Sequence, residues 1–497
     1  MKRTENTPLN IIEKLNTRTS LICAVAVLII LTVIFCRLDH QLVTVPAVQA
    51  KKQENEAKQQ TVKKKKAPVV TTASVVAAGD NFYQPGILMS GQDGSGTWSY
   101  EKVYDHIRSE IQAADLALVN QETVFTTSHN SVSASGYYAT PTEVGDALVN
   151  AGFDVICSAT NHMDDWGADY LNETIAYWKK SHPDILVAGI HDSEEDKSTV
   201  RIYDAGGIRI AVLNYTYGTN SSTVGTGGVY QPNTGGRTYM LDLLPEGSEE
   251  ISAMIQKARA QADCVIFAAH WGTTDEPMPT EYEKQWAAFL MQQGVDVLIG
   301  THPHVLQPYG VMTDDDGHSM TVFYSLGNFA SSSDNWIERL GGLACFTIRK
   351  SVSEEEGTTV EILDPVIKPV VVHSDSSSGM DEYSVYLLDE YTKSMAESCS
   401  IRNTVGELFS LTNLYRKFEE IMSVNVTPSA GTDLLNARFL WDGSVQDEKG
   451  NYLTILSSTE AGYYSAMDID ISDYSYFEDY DYTGLSGKSS ESEMEFQ

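Results

Sequence analysis

Short, mainly apolar stretches that end in polar residues constrain the fold of this chain more than any other feature of its sequence. Five of them stand out, at 71–78, 116–119, 154–159, 264–269 and 295–300. Stretches of this length and composition are typical of buried parallel strands. Helical patterns with apolar residues three and four positions apart separate several of them, at 142–151, 248–262 and 282–291. The alternation predicts an α/β core with a substantial parallel sheet.

The polar residues at the ends of these stretches belong to the types that bind metal ions. In chain order they are Asp80, Glu122, Asn161, His162, His270, His302 and His304. Ligands of open α/β sheets gather beyond the carboxyl ends of the strands, so we expect these side chains to lie together. A mixture of carboxylate, amide and imidazole donors suits Mn, Fe or Zn, whereas thiolates alone would indicate structural zinc. The sequence therefore predicts a site for one or two divalent ions.

Each of these residues, taken singly, also has a purely structural explanation. A histidine after a strand is usually a hydrogen-bonded structural residue. Asp80 could cap a helix, and Glu122 could be a solvated acid in a loop. Their occurrence together at successive strand ends is what favours a functional site.

The motifs around these residues resemble those of the CapA family of poly-γ-glutamate capsule synthesis proteins. That family is itself similar to the calcineurin-like metallophosphoesterases. The motifs are GDN, NQE, NHMDDWG, HWG, GTHPHV and SLGNF, and the resemblance covers roughly residues 70–372. It implies a metallophosphoesterase-like four-layer α/β/β/α sandwich, with helices outside two packed sheets.

The resemblance also implies roles for individual residues. The positions that would ligate metal are Asp80, Glu122, Asn161, His270, His302 and His304. His162 would face the substrate as the catalytic residue. The positions that would support the ligands or the substrate are Asn81, Asn120, Asp165, Ser325 and Asn328. The chain departs from the metallophosphoesterase pattern at Phe82, which stands in place of the histidine of the DxH motif, and at Glu122, which replaces an aspartate.

An uncharged stretch from Thr19 to Cys36 is just long enough to span a bilayer. Slightly more basic residues precede it than follow it closely, and long domains translocate largely regardless of such charges. We therefore expect a single-pass membrane anchor with a short cytoplasmic N-terminus and a large extracytoplasmic domain. A cleaved signal peptide is the alternative, but the suitable cleavage residues at 48–50 lie far beyond the apolar stretch.

Composition along the chain predicts six segments. They are a cytoplasmic N-terminus at 1–18, the anchor at 19–36, a charged flexible stalk at 37–69, the CapA-like domain at 70–375, a helical and hairpin region at 376–462, and an acidic disordered tail at 463–497. Within the helical region we expect two helices over 381–424 and a β-hairpin over 441–456. The polar stretch at 219–236 is typical of a functional lid or a disordered loop.

The net charge of −34 argues against non-specific binding to nucleic acid. An anionic polymer would also be repelled, so contact with one would need local cations such as bound metal. The resemblance favours a component of capsular polymer synthesis or export that acts on or holds poly-γ-glutamate or a similar polymer, alongside other membrane-bound capsule proteins. Two alternatives remain open. One is a metal-dependent hydrolase of an extracytoplasmic phosphoester or amide, with His162 as general acid. The other is a metal-free scaffold.

Overall fold

The computed structural model describes residues 9–39, 50–55, 67–220, 223–224, 230–231, 248–314, 317–354, 357–424, 438–439, 445–446 and 452–453. The chain divides into two compact units. The smaller contains Met1–Val69 and Val352–Thr358, and the larger contains Val70–Ser351 and Thr359–Gln497. The predicted acidic tail and most of the predicted stalk lie outside the described residues.

The smaller unit contains one long helix, Leu9–Asp39, and a short helix at 50–55. Within the long helix, Thr19–Leu38 is apolar and long enough to cross a membrane, and its side chains are exposed. This stretch contains the predicted anchor. Its length and position near the N-terminus suit either a membrane anchor or a signal sequence.

The strands are, in chain order, β1 Val69–Asn81, β2 Leu116–Gln121, β3 Val124–Thr126, β4 Ser133–Ser135, β5 Tyr137–Pro141, β6 Val155–Cys157, β7 Leu186–Ala188, β8 Arg201–Ala205, β9 Ile208–Thr216, β10 Thr223–Val224, β11 Tyr230–Gln231, β12 Cys264–His270, β13 Val297–Thr301, β14 Tyr309–Thr313, β15 Ser319–Phe323, β16 Asn328–Ala330, β17 Leu340–Ser353, β18 Gly357–Asp375, β19 Glu382–Leu387, β20 Arg438–Phe439, β21 Val445–Gln446 and β22 Tyr452–Leu453. All five predicted apolar stretches overlap strands in this set, namely β1, β2, β6, β12 and β13.

Two large sheets organise the fold. The first has the order β19-β18-β17-β1-β2-β6-β7, with β16 also paired to β1, and the second has the order β14-β15-β13-β12-β9-β8. In the first sheet, three successive pairs are parallel, namely β1 with β2, β2 with β6, and β6 with β7. In the second sheet, β12 is parallel to both β9 and β13. The predicted parallel core is confirmed, with antiparallel pairs at the sheet edges.

The two sheets pack against each other through one apolar core. Val75 on β1 and Ile266 on β12 belong to the same buried cluster, whereas their neighbours Val76 and Phe267 belong to separate clusters on the outer faces. Successive residues of a strand point to opposite faces of its sheet, so each central strand contributes to an inner and an outer layer.

Helices cover both outer faces. Glu143–Ala151 and Ala168–Ser181 pack on the first sheet, and Ser248–Arg259 and Glu281–Gln292 pack on the second. The predictions of helices at 142–151, 248–262 and 282–291 are confirmed. Helix–sheet–sheet–helix is the four-layer arrangement that the resemblance implied.

Shorter helices complete the connections between these layers. The α-helices are Pro85–Ser90, Glu101–Tyr104, Arg108–Gln112, Glu194–Lys197, Lys393–Ser398, Arg402–Val405 and Leu411–Met422, and the 3-10 helices are His129–Ser131, Trp336–Arg339 and Gly406–Leu408.

The region after 376 differs in part from its prediction. We expected helix from 381, but Glu382–Leu387 is strand β19, antiparallel to β18. Its alternation of buried Tyr383 and Val385 with less buried neighbours suits a sheet edge, and this period-2 pattern is what the helical interpretation missed. The last helix, Leu411–Met422, follows the prediction and buries Leu414 and Ile421 in the core between the sheets.

The predicted hairpin is present as β21 paired with β22, and β20 joins it. Its turn lies outside the described residues, as does most of the polar stretch at 219–236.

Candidate metal centre

Strand ends from both sheets bring the predicted polar residues to one place. Asp80 lies near the end of β1, where it pairs in register with Asn120 on β2 and Asn328 on β16. His270 ends β12 and pairs with Thr301, the last residue of β13. Loops directly after strands therefore supply the remaining side chains, as the sequence predicted.

Close packing of backbone holds Asp80 in position. Asp80 N donates to Gly327 O over 2.9 Å. A Cβ on the preceding Gly79 would lie 2.0 Å from the same carbonyl oxygen, so only glycine fits there.

The two histidines of the His302-Pro303-His304 segment have strained backbones. His302 has a φ of 95° and His304 a φ of 62°, a region that residues other than glycine rarely adopt. Such strain persists only where surrounding structure imposes it, and it is common at functional sites. Here it directs both imidazoles toward the two buried carboxylates.

Asp80 is fully buried and accepts hydrogen bonds from two protein groups. Asn120 Nδ2 donates to its Oδ1 over 2.8 Å, and the backbone N–H of His302 donates to its Oδ2 over 3.0 Å. The same carboxylate lies 3.5 Å from His304 Nδ1 and 3.8 Å from His270 Nδ1. Asp80 therefore joins β1 and β2 to the histidines of the second sheet.

Glu122 is equally buried, but neither of its carboxylate oxygens has a hydrogen-bond partner. Its Oε1 lies 3.5 Å from His304 Nε2 and 3.8 Å from His270 Nε2. Those distances are too long for hydrogen bonds and leave room for a ligand between the groups. Glu122 is therefore the centre of the site.

Two groups of three side chains share Glu122 and have donor atoms close enough to hold an ion. One contains Glu122, His270 and His302, and the other contains Asp80, Glu122 and His304. In each group the donor atoms lie within 4.8 Å of one another. Asn161 belongs beside the first group, because its Oδ1 lies 2.8 Å from His270 Nε2.

Unpartnered polar atoms show that these residues fit a metal ion. Both oxygens of Glu122, Oδ1 of Asn120 and Nδ1 of His302 are buried without a hydrogen-bond partner. A buried polar atom left unpaired costs roughly 1–3 kcal/mol, so several around one point require compensation. A divalent cation provides this compensation because it binds carboxylate oxygens and imidazole nitrogens at the same time.

Burial and neighbouring charges shift the pKa values of the three histidines and of Glu122. Burial, and then the neighbouring imidazoles, holds the pKa of His270 and of His302 well below the usual histidine range. Burial also lowers the pKa of His304, but the carboxylates of Glu122 and Asp80 outweigh this and raise it to about 10. Burial raises the pKa of Glu122 well above its usual value. His270 and His302 are thus neutral imidazoles, the form that binds metal.

His162 lies beside the ligand set rather than within it. Its Nδ1 is 2.7 Å from Asp165 Oδ2, and Asn220 Nδ2 is 3.0 Å from the same nitrogen. Asn220 also connects to Asn161, since Asn161 Nδ2 donates to Asn220 Oδ1 over 3.0 Å. This arrangement holds His162 next to the first group without making it a ligand.

Phe82 forms an apolar wall on one side of the centre. Its ring stacks on the imidazole of His304 at 5.0 Å and 14° between planes, and on that of His162 at 5.2 Å and 25°. Tyr138 packs on both Phe82 and His162, with centroids 4.7 and 4.8 Å away.

The predicted supporting residues divide into two kinds. Asn120, Asp165 and Asn328 touch candidate site residues directly, Asn328 through its Oδ1 at 3.0 Å from His304 Nδ1. The side chains of Asn81 and Ser325 do not, although the backbone N–H of Glu122 donates to Asn81 O over 3.4 Å. Asn81 bonds to Gln121 and Tyr104, and Ser325 donates to Val305 O, which stabilises the loop after His304.

Residues that the sequence did not single out also belong to the site. Thr301 Oγ1 lies 3.0 Å from His270 Nδ1 and so orients the ring. Asn220 lies in the polar stretch at 219–236, and the composition of that stretch already indicated a functional lid or a disordered loop. Glu338 reaches Asn328 Nδ2 at 3.4 Å, and nothing in its sequence surroundings points to the site.

Comparisons with known proteins identify a family and relatives that this chain resembles. Residues 74–333 match the family described as bacterial capsule synthesis protein PGA_cap. The PGA biosynthesis protein CapA of Bacillus subtilis (strain 168) is 28% identical over 273 residues, which cover 54% of this chain and 67% of the relative. The capsule biosynthesis protein CapA of Bacillus anthracis is 30% identical over 187 residues, covering 38% of this chain and 42% of that protein.

Among solved structures, a novel phosphatase from Mycoplasma pneumoniae aligns with a TM-score of 0.31 and 14% identity. The alignment covers 60% of this chain and 95% of the phosphatase. Likeness of this degree assigns no activity. The family match includes all six candidate ligands and spans slightly more than half of the sequence, and the chain therefore belongs to the bacterial capsule synthesis protein PGA_cap family.

Proposed function

We propose that this chain is a membrane-anchored, extracytoplasmic protein that acts in the synthesis or export of an anionic capsular polymer, such as poly-γ-glutamate, through a site that binds a divalent metal ion. Membership of the family and the names of the curated relatives support the capsule role. The arrangement around Glu122 supports the metal.

The observation that carries the metal proposal is the pairing of two buried carboxylates that have no lysine or arginine beside them in the part of the chain that the structure describes. Asp80 and Glu122 are both 0% exposed. Among the described residues, neither forms an ion pair with lysine or arginine, and the basic side chains beside them are histidines. Buried charges are stable only when they are paired or bind metal, so the site favours a divalent cation.

The residues that would hold the ion are Asp80, Glu122, Asn161, His270, His302 and His304. Mixed oxygen and nitrogen donors suit Mn, Fe or Zn. Once bound, such an ion supplies Lewis acidity and a local positive charge. That charge matters because the chain carries −34 overall and would otherwise repel a polymer of carboxylates.

The helix containing Thr19–Leu38 supports membrane attachment, with the larger unit outside the cell membrane. Basic residues precede the apolar stretch at Lys2, Arg3, Lys14 and Arg18, which favours a cytoplasmic N-terminus. Attachment would bring the site to other membrane-bound proteins of capsule synthesis, which we propose as partners.

A second candidate function, metal-dependent hydrolysis of a phosphoester or amide, is favoured by His162. The Asp165 carboxylate lies 2.7 Å from Nδ1, where it can accept a hydrogen bond from a protonated ring, and this leaves Nε2 directed away from that contact. A histidine oriented in this way can hold a proton at Nε2 in its charged form and pass it to a leaving group. His162 is only 8% exposed, so such a transfer would be shielded from bulk water.

The capsule role can be tested in the encapsulated bacterium that carries this chain. The chromosomal copy is replaced by the wild type, by His302→Ala or by His129→Ala, with equal membrane abundance checked by immunoblot. His129 is a surface histidine paired with Glu143, and it serves as the matched control. We expect surface polymer to be lost with His302→Ala and retained with His129→Ala. Normal polymer from a metal-free His302→Ala protein would refute the proposed role of the site.

A further inference from the structure

We infer that the centre holds one tightly bound ion, ligated by Glu122, Asn161, His270 and His302, and that Phe82 closes the adjacent position beside Asp80 and His304. The inference rests on the proposed metal site and specifies how many ions it takes. Its basis is a difference between the two groups of donors that share Glu122.

The first group has more donors, and two of its members have atoms without another partner. Glu122, His270 and His302 converge within 4.8 Å, and Asn161 Oδ1 lies at 2.8 Å from His270 Nε2. The Glu122 oxygens and His302 Nδ1 have no other partner. Thr301 fixes the His270 ring by its contact with Nδ1, which leaves Nε2 facing Glu122. Three or four nitrogen and oxygen donors are typical of a tightly held transition metal.

The second group has fewer donors, and its own residues already have partners. Asp80 accepts from Asn120 on one oxygen and from the His302 backbone on the other. His304 Nδ1 lies 3.0 Å from Asn328 Oδ1. Only the shared Glu122 brings unpartnered oxygens to this group. An ion there would compete with existing hydrogen bonds, which weakens its binding.

The position two residues after Asp80 decides whether this group can gain a further ligand. That residue is Phe82, which is 5% exposed and stacked on the His304 imidazole. A phenyl ring has no lone pair to give, and it excludes the water molecules that could complete the coordination of an ion. Phe82 therefore leaves the second group with three donors and an apolar side.

One ion rather than two limits the chemistry of the site. Two ions a few ångströms apart stabilise both the attacking and the leaving oxygen of an in-line displacement, whereas a single ion polarises one bound group, either a substrate oxygen or a water molecule. A single ion suits binding of one carboxylate or phosphate of an anionic substrate, with His162 close to the ligand Asn161 through Asn220.

The number of ions can be measured on the full-length chain in detergent. After removal of metal, protein is loaded with Mn²⁺, freed of excess ion and examined by elemental analysis and electron paramagnetic resonance. We expect about one Mn²⁺ per wild-type chain with the spectrum of an isolated ion. Phe82→His should take up a second ion and show spin coupling. Phe82→Leu, which removes the ring without adding a donor, should still hold one.

Single substitutions then locate the ion. We expect His270→Ala to lower Mn²⁺ affinity by at least about a hundredfold and His304→Ala by less than about tenfold, because only the first is a ligand of the tight site. Two coupled ions in the wild type would overturn the inference, as would a larger loss of affinity in His304→Ala than in His270→Ala. A folded Phe82→His chain with one ion would show that Phe82 does not close the second position. Absence of any ion in the wild type would instead refute the proposed metal site itself.

Discussion

Nδ1 of His162 lies 2.7 Å from Oδ2 of Asp165, three residues further along the chain. The backbone N–H of Tyr138 donates to the same oxygen over 2.8 Å, so the carboxylate is fixed from two directions. The rings of Phe82 and Tyr138 pack on the imidazole. His162 is therefore held beside the candidate ligands by contacts on several sides.

Replacement of His162 separates catalysis from metal binding. We expect His162→Ala to keep both the ion and the fold, because its neighbour Asn161 and not His162 lies within the donor set. If the chain is a hydrolase, turnover should fall by roughly a hundredfold to ten-thousandfold, the usual effect of losing a general acid. Hydrolysis or polymer output equal to wild type from folded, metal-loaded His162→Ala would exclude acid catalysis by this residue and favour a scaffold.

Replacement of His302 should affect metal affinity and stability together. Ligand binding to the folded state alone raises stability by about 3 kcal/mol at a metal concentration one hundred times the Kd. We expect wild-type chain to gain about that much free energy of unfolding when Mn²⁺ is added, and His302→Ala to gain almost none. Denaturant unfolding with Mn²⁺ or with chelator measures the difference, with His129→Ala as control. An equal gain in His302→Ala would remove this residue from the ligand set.

The orientation of the membrane helix predicts the result of proteolysis on intact cells. With the N-terminus inside, protease added to protoplasts should digest the chain after Lys66, and an antibody to the N-terminal residues should still detect a short protected fragment. Full protection of the larger unit would place the candidate site in the cytoplasm and contradict a role at the cell surface.

Glu283 predicts a pH dependence of stability that is independent of the metal. Burial raises its pKa to about 7 from 4.5, although Thr280 donates to its carboxylate. Because the folded-state pKa lies above the unfolded value, the contribution of Glu283 to stability is fully present below pH 4.5 and is lost as the pH rises through 7. Over that range the loss from this group is roughly 3 kcal/mol. Glu283→Gln should remove that part of the slope in chelator-treated protein. If the free energy of unfolding changed equally with pH between 5 and 7.5 in wild type and in Glu283→Gln, Glu283 would be charged in the folded chain.

Several features of the fold were predictable because they depend on local patterns. The stretch ending at Ala269 is apolar throughout and became β12, and the capping box of Thr280 and Glu283 begins the helix predicted from 282. Placement of polar residues at strand ends predicted that Asp80 and His270 would meet, and their side chains lie 3.8 Å apart although they lie at the ends of strands in different sheets.

Other features depend on contacts between distant parts of the chain and could not be read from local patterns. Pairing of β16 with β1 places Asn328 beside Asp80, although 248 positions separate them. The role of Asn220 arises from a loop that crosses to Asn161 and His162. The sequence around β19 predicted helix because a helical pattern follows closely, whereas pairing with β18 makes this segment a strand. In each case tertiary contacts, not propensity, determine the outcome.

The central claim is that the buried carboxylate of Glu122 and the surrounding histidines hold a divalent cation. Elemental analysis of full-length chain, purified without a histidine tag after growth with added Mn, Fe and Zn, tests it most directly. We expect about one equivalent of one of these metals per wild-type chain, and less than a tenth of that in Glu122→Gln, which keeps the shape but removes the charge. A metal content near zero in folded wild-type protein, or an unchanged content in Glu122→Gln, would contradict the claim.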